Sequence, residues 1–239
     1  GYPMVRHAKQ LIASGELGKV LMVHVQYAQS WLASPLELTG HKQASWRTDP
    51  QQAGAGCLGD IGSHAFQLAE FVSGCMVEKI CGDVHTCVPG RKVDDNVQLL
   101  LRFSNGASGM LWASQVAHGH DNDLQLRVYC TKGSIQWKQK SPEQLLITRE
   151  GAPTSQVMRG ATGTPTSSTG LPGGHPEGFI EAFSRLYADY AEQLIARREK
   201  QPPSPMSLLA PTGETGLRVM SFIDTALRLP DNGSWLIIE

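Results

Sequence analysis

The chain has 239 residues, of which 41% are hydrophobic and 18% are charged. This composition is typical of a globular protein that buries a sizeable core, either in one large domain or in two small ones. The formal net charge of −1 gives no electrostatic footprint for nucleic acid or for an anionic membrane surface. No apolar run is long enough to span a bilayer and no leader opens the sequence, which predicts a cytoplasmic protein without a membrane segment.

The cysteines predict neither a disulfide framework nor a metal site. Their number is odd and no C-x-x-C spacing occurs, so reduced thiols in a reducing compartment are expected. Cys81 and Cys87 would share one face of a strand, and we interpret both as small core residues. The five cysteines are Cys57, Cys75, Cys81, Cys87 and Cys130.

Hydrophobic periodicity predicts alternating blocks of helix and strand along the chain. Helical spacing is present over 3–14, 61–73, 179–194 and 217–227, and strand alternation over 21–28, 76–88, 97–103, 108–116, 124–130, 134–138 and 144–148, with a short strand at 235–238. Asn105-Gly106 predicts a tight hairpin, because both residues tolerate positive φ. Successive strands joined by tight turns predict an α+β fold with a largely antiparallel sheet.

The connection over 30–53 has no regular pattern and contains Trp31, Trp46 and Arg47. Long irregular segments in compact domains are usually functional or disordered. Two aromatic faces beside a guanidinium suit a polyhydroxylated ligand, so these three residues are candidate substrate contacts. In the alternative interpretation, both tryptophans fill the core and Arg47 forms an ion pair at the surface.

The stretch 54–64, Gly-Ala-Gly-Cys-Leu-Gly-Asp-Ile-Gly-Ser-His, places a carboxylate and an imidazole four residues apart. We predict that Asp60 is an N-cap or first-turn residue of the helix that ends before Gly74. Positions four apart on a helix share one face, so Asp60 and His64 can contact the same small ligand. A purely structural capping role for Asp60 is the alternative.

Two acidic clusters, Asp94-Asp95 and Asp121-Asn122-Asp123, stand at strand entrances, where turn chemistry explains them. The segment 151–176 is dominated by Gly, Pro, Ser and Thr, which predicts a flexible loop or lid. His175 lies at the end of this loop and precedes the helix at 179, so it is either a ligand contact or a cap or turn residue. Neither a Walker A loop nor a G-x-G-x-x-G after a strand is present, so no dinucleotide site is predicted in these residues.

Four segments together resemble the C-terminal domain of the Gfo/Idh/MocA oxidoreductases, the family of glucose-fructose oxidoreductase and inositol dehydrogenase. The resemblance covers nearly the whole chain. The matching segments are 1–9 with 14–20, Trp46-Arg-Thr-Asp-Pro50, Gly59-Asp-Ile-Gly-Ser-His64 and His175-Pro-Glu-Gly-Phe179. The chain departs from the family's usual Gly-Gly-Gly run at Gly54-Ala55-Gly56-Cys57.

The resemblance implies a single substrate-binding and oligomerisation domain over 1–239, with an open, mainly antiparallel sheet and helices packed on one face. Its fold would be like the C-terminal domains of dihydrodipicolinate reductase and glyceraldehyde-3-phosphate dehydrogenase. It also implies proton transfer by His64, a substrate hydroxyl held by Asp60, and assembly into a homodimer or homotetramer through the sheet face. The family's N-terminal Rossmann domain, which binds NAD or NADP and carries a Glu-Lys-Pro motif, is not in these residues. This fragment alone is therefore expected to be inactive.

The implied function is hydride transfer between a sugar, cyclitol or anhydrosugar alcohol and a nicotinamide. His titrates near neutrality, which suits the acid/base chemistry of a secondary alcohol. The alternatives are a non-catalytic sugar-binding relative and an assembly module with the same fold. No metal is expected, because Asp60 and His64 lack an evident third ligand.

Overall fold

The computed structural model describes residues 1–164 and 170–239. Nine strands form one sheet in the order β8-β7-β6-β5-β1-β4-β3-β2-β9. The strands are β1 (Val20–Ala28), β2 (Val77–His85), β3 (Asn96–Phe103), β4 (Ser108–Ser114), β5 (Asp123–Cys130), β6 (Gly133–Lys138), β7 (Gln144–Arg149), β8 (Ser155–Met158) and β9 (Leu236–Ile237). Among the described strands, only β1 and β4 pair in parallel. The predicted α+β fold with a mainly antiparallel sheet is confirmed.

Helices pack against one face of the sheet. The helices are α1 (Pro3–Ala13), α2 (Lys42–Arg47), α3 (Pro50–Ala53), α4 (Ser63–Ser73), α5 (Phe179–Glu199) and α6 (Gly213–Ala226). Helix α4 lies against β1, β4 and β5 and also contacts α1 and α6. The rings of Phe66 in α4 and Phe222 in α6 stack with centroids 4.1 Å apart. The layer of α1, α4 and α6 thus buries the inward side of the sheet.

Alternation along the strands decides which side chains enter this core. In β5, Leu124, Leu126, Val128 and Cys130 are buried, and the residues between them are partly exposed. On the opposite face, Leu100 of β3 and Met110 of β4 stand directly across from each other and are 50% and 45% exposed. Helices therefore cover one face of the sheet, whereas its other face is open.

The predicted flexible loop over 151–176 needs a correction, because it contains strand β8. Backbone pairing with β7 holds Ser155–Met158 at the sheet edge, where a strand needs few buried side chains. The next residue, Arg159, is buried and donates hydrogen bonds to the Glu143 carboxylate and to the Leu171 and His175 carbonyls. The part of this prediction that concerns 165–169 lies outside the described residues.

Cys81 is buried in β2 as predicted, but the prediction for Cys87 is wrong. Strand β2 ends at His85, since the chain turns there. Cys87 is consequently exposed rather than on the buried side of the strand. All five cysteines are free thiols, and no helix in the described ranges has the length and apolar character needed to cross a bilayer.

Candidate active site

Asp60 and His64 lie on a wide turn and on the helix that follows it. Leu58–Gly62 forms a π-helical turn, and α4 begins at Ser63. Of the two predicted positions for Asp60, the first turn is confirmed and the N-cap is not, because the helical backbone already runs through Asp60. Residues four apart still come to the same side of such a turn. The negative charge of Asp60 accordingly acts on the His64 imidazole and favours its protonation.

The cap of this segment is Asp94, which precedes β3. Its carboxylate accepts hydrogen bonds from the Gly56 and Leu58 amides at 2.7 and 2.6 Å, and its carbonyl accepts one from the Cys57 amide at 2.9 Å. Gly56 is required here because a Cβ at this position would overlap the Asp94 carbonyl. The turn chemistry predicted for Asp94 thus serves the loop that carries Asp60.

The Asp60 carboxylate is held by a hydrogen bond and an ion pair, both on the same oxygen. Gln115 Nε2 lies 2.7 Å from Asp60 Oδ2, and Arg47 Nε lies 3.3 Å from it. Among the described residues, none donates a hydrogen bond to Oδ1. One carboxylate oxygen of Asp60 is therefore fixed by the protein, and the other is available to a ligand.

His64 opens into a cleft whose walls partly remove it from water. This desolvation lowers the pKa of His64 below its usual value of 6.5, and the nearby charge of Asp60 opposes the shift. The Tyr27 ring lies edge-on to the imidazole, with centroids 6.2 Å apart. Burial also raises the pKa of the Tyr27 phenol above 10.0. Near neutral pH, the site thus presents a neutral imidazole beside a protonated phenol.

The cleft has a volume of about 1990 Å³ and brings together most of the predicted site residues. Asp60, His64, Arg47 and Trp31 line it, and the Arg47 guanidinium lies 6.0 Å from the centre of a Trp31 ring. Trp46 and His175 are not among the described residues that line the cleft. The Trp46 ring instead lies 4.2 Å from the Arg47 guanidinium, and His175 is exposed outside the cleft.

The sequence interpretation missed four polar residues of this site: Tyr27, Gln29, Gln115 and Asn122. Gln29 directly follows β1, and Gln115 directly follows β4. Because these two strands are parallel, their carboxyl ends lie at the same edge of the sheet. The pairing joins segments more than 80 residues apart, so no local pattern indicates it. Asn122 was noted only as a turn residue, and its φ of 48° agrees with that role.

The donor set of the site is suited to hydroxyl groups rather than to a metal ion. Within 1–164 and 170–239, no three His, Cys, Asp or Glu side chains come close enough together to hold a metal. Carboxylate, imidazole, amide and guanidinium groups can together bind several hydroxyls of one ligand, and the Trp31 face can pack against its C–H surface.

Comparison with known families agrees with this fold. The family model described as "GFO/IDH/MocA C-terminal domain" matches residues 5–136, which is more than half of the chain. The chain therefore belongs to this family.

Three similar proteins illustrate the kinds of protein that contain this domain. The solved structure of an oxidoreductase from Sinorhizobium meliloti is 38% identical in sequence to this chain, with a TM-score of 0.84. The match covers 99% of this chain and 62% of that protein. An inositol dehydrogenase homolog from Azotobacter vinelandii, in complex with NADH and myo-inositol, is 26% identical with a TM-score of 0.83 and the same coverage. A levoglucosan dehydrogenase from Pseudarthrobacter phenanthrenivorans is 29% identical over 168 residues, 61% of this chain and 42% of that protein. This chain thus spans less than two thirds of the length of these relatives.

Proposed function

We propose that this chain is the substrate domain of a nicotinamide-dependent dehydrogenase that oxidises a hydroxyl group of a sugar, cyclitol or anhydrosugar. The observation that carries the proposal is the placement of Asp60 and His64 in one cleft, with Asp60 Oδ1 available to a ligand. Relatives that act on levoglucosan and bind myo-inositol support this substrate class. Asp60 and His64 have separate roles in the proposed reaction.

Asp60 orients the substrate. Its Oδ2 is fixed by Gln115 and Arg47, so Oδ1 can accept a hydrogen bond in a defined direction from a substrate hydroxyl other than the one that gives its proton to His64. A group held in this way lowers the entropic part of the barrier, because the reacting atoms are already aligned. Trp31 and Arg47 provide an apolar face and hydrogen-bond donors for the rest of the polyol.

His64 accepts the hydroxyl proton. Its lowered pKa keeps the imidazole neutral near pH 7, which is the form that a general base requires. A bound nicotinamide would supply the hydride acceptor for the carbon that carries this hydroxyl, so that loss of the proton to His64 would leave a carbonyl. In the reverse direction, protonated His64 returns the proton to the carbonyl oxygen.

The cleft is large enough to hold more than one small ligand beside Asp60 and His64. We infer that NAD or NADP is bound mainly by an N-terminal Rossmann domain outside these residues. The solved relative with NADH is longer than this chain and supports this inference. The fragment by itself is then expected to be inactive. Free thiols at all five cysteines favour a reducing, cytoplasmic location.

The test uses the full-length protein that contains this chain, with myo-inositol and levoglucosan as substrates and both NAD⁺ and NADP⁺. We expect formation of the reduced cofactor with one of the polyols, and His64→Ala should lower kcat by about 10²–10⁴-fold. His85→Ala, at the exposed end of β2, is the matched control and should retain activity. Polyol binding without turnover would support a non-catalytic sugar-binding protein, and full activity of His64→Ala would refute the role of His64.

We also infer that a second copy of the chain covers the open sheet face, giving a homodimer or homotetramer. Leu100 and Met110 form an exposed apolar pair there, and Met22 on β1 adds to it. Contiguous apolar patches of this kind mark interaction surfaces. Light scattering should report a multiple of the chain mass, and Met110→Glu should reduce it. An unchanged mass for Met110→Glu would argue against this interface.

A further inference from the structure

The parallel pair β1 and β4 brings two glutamine side chains together at the cleft, where Gln29 is part of the lining and Gln115 is not. Gln29 follows β1 and Gln115 follows β4, and Gln115 Nε2 lies 3.3 Å from Gln29 Oε1. Gln115 is only 2% exposed. Its backbone is also held, since its amide donates to the Asp95 carbonyl and its carbonyl accepts from the Leu32 amide. The Gln115 side chain is therefore a fixed, buried amide.

The direction of the hydrogen bonds in this network is determined at both ends. The Trp31 indole can only donate, and its Nε1 lies 2.8 Å from Gln29 Oε1. Gln29 must therefore present its oxygen to Trp31 and to Gln115. An ionised Asp60 can only accept, so Gln115 must present its amide nitrogen to both Gln29 and Asp60. Both N–H groups of the Gln115 amide are then used.

The same network reaches the neighbourhood of His64. Gln29 Nε2 donates to Asn122 Oδ1 at 2.7 Å, and the Tyr27 hydroxyl lies 3.3 Å from the same oxygen. The Tyr27 ring is the one that lies against His64. A single amide, Gln115, thus connects Asp60 to the cluster that holds Trp31 and Tyr27.

We propose that Gln115 is a positioning residue, which fixes the Asp60 carboxylate and couples its orientation to the Trp31 indole through Gln29. A buried amide costs free energy unless it is paired, and here each of its two N–H groups has a partner. Gln115 does not touch the substrate. It acts through Asp60, whose Oδ1 it directs into the cleft. This proposal rests on the proposed function.

Two substitutions in the full-length enzyme separate positioning from packing. Gln115→Leu keeps most of the side-chain volume but removes the donors, and kcat/KM should fall about 10–100-fold, mainly in kcat, because Asp60 is misaligned. Gln115→Glu restores a donor only when it is protonated. The ratio of its kcat/KM to that of the wild type should therefore rise as the pH is lowered, whereas the ratio for Gln115→Leu should not change with pH.

Gln156 on the exposed edge strand β8 is the matched control, and both substitutions there should leave kcat/KM unchanged. If Gln115→Leu does not fold, the pH dependence of Gln115→Glu tests the proposal alone.

A second measurement does not depend on turnover. The NMR signal of the Trp31 indole N–H, assigned with Trp31→Phe, should shift in Gln115→Leu and not in Gln156→Leu. An unchanged indole signal, or a Gln115→Glu ratio that does not vary with pH in an active enzyme, would overturn the proposal. A wild type that turns over no polyol would contradict the proposed function, and the indole signal would still test the coupling.

Discussion

Substitution of Asp94 tests how the loop that carries Asp60 is held. Asp94 is 7% exposed, and its carboxylate accepts from the Gly56 and Leu58 amides at 2.7 and 2.6 Å. A hydrogen bond to a charged group is worth about 1.5–3 kcal/mol. Asp94→Ala removes two of them and leaves both amides buried, so we expect a loss of about 3–6 kcal/mol in the free energy of unfolding. Such a loss is a large fraction of the total stability of a typical domain.

Urea unfolding followed by circular dichroism measures this loss. Asp94→Asn should cost less, about 1.5–3 kcal/mol, because the amide oxygen can still accept one of the two hydrogen bonds. Asp231→Ala, at an exposed turn, is the control and should stay within about 0.5 kcal/mol of the wild type. If Asp94→Ala unfolds within about 1 kcal/mol of this control, the two hydrogen bonds do not hold the loop as described.

Two further predictions concern the pH dependence of activity and the ion pairs of Arg159, the residue that follows β8. The kcat/KM for alcohol oxidation should fall on acidification with a midpoint below 6.5, because the cleft walls desolvate His64 and so lower its pKa, and only the neutral imidazole accepts a proton. A midpoint at or above 6.5 would contradict this desolvation. Arg159→Met removes the buried partner of Glu143 and Glu177 and should cost about 3–5 kcal/mol in urea unfolding, while the exposed Arg198→Met should cost little. Equal stability of these two variants would show that the buried ion pairs do not stabilise the protein.

Much of the fold could be predicted from local patterns. Side-chain alternation over 124–130 identifies β5 because one face is buried and the other is not. The β3–β4 hairpin followed from Asn105-Gly106, although only Gly106 has a positive φ, of 85°. The Asn105 side chain instead accepts a hydrogen bond from the Ala107 amide and so supports the turn. These features depend on a few neighbouring residues, which is why the sequence indicates them.

Only part of the site could be predicted from the sequence, and the reason is physical. Asp60 and His64 are four residues apart, so their proximity is a local property of the chain. The partners of Asp60 are distant: Gln115 is 55 residues away, and it is placed by the pairing of β4 with β1. Similarly, Asp94 caps a turn 36 residues before it. Side chains that meet through strand pairing have no spacing that a single sequence could reveal.

Three departures from regular structure meet at the cleft. The π turn carries Asp60, the parallel strand pair delivers Gln29 and Gln115, and Asn122 adopts a left-handed backbone at the cleft wall. Each is less favourable than its regular counterpart, and each positions a polar side chain that lines the cleft or contacts a residue that does. Irregular geometry that costs free energy at several points and serves one cleft is expected where a protein must hold a ligand in a fixed orientation. The irregular backbone thus supports the same location for the proposed active site as the chemistry of Asp60 and His64.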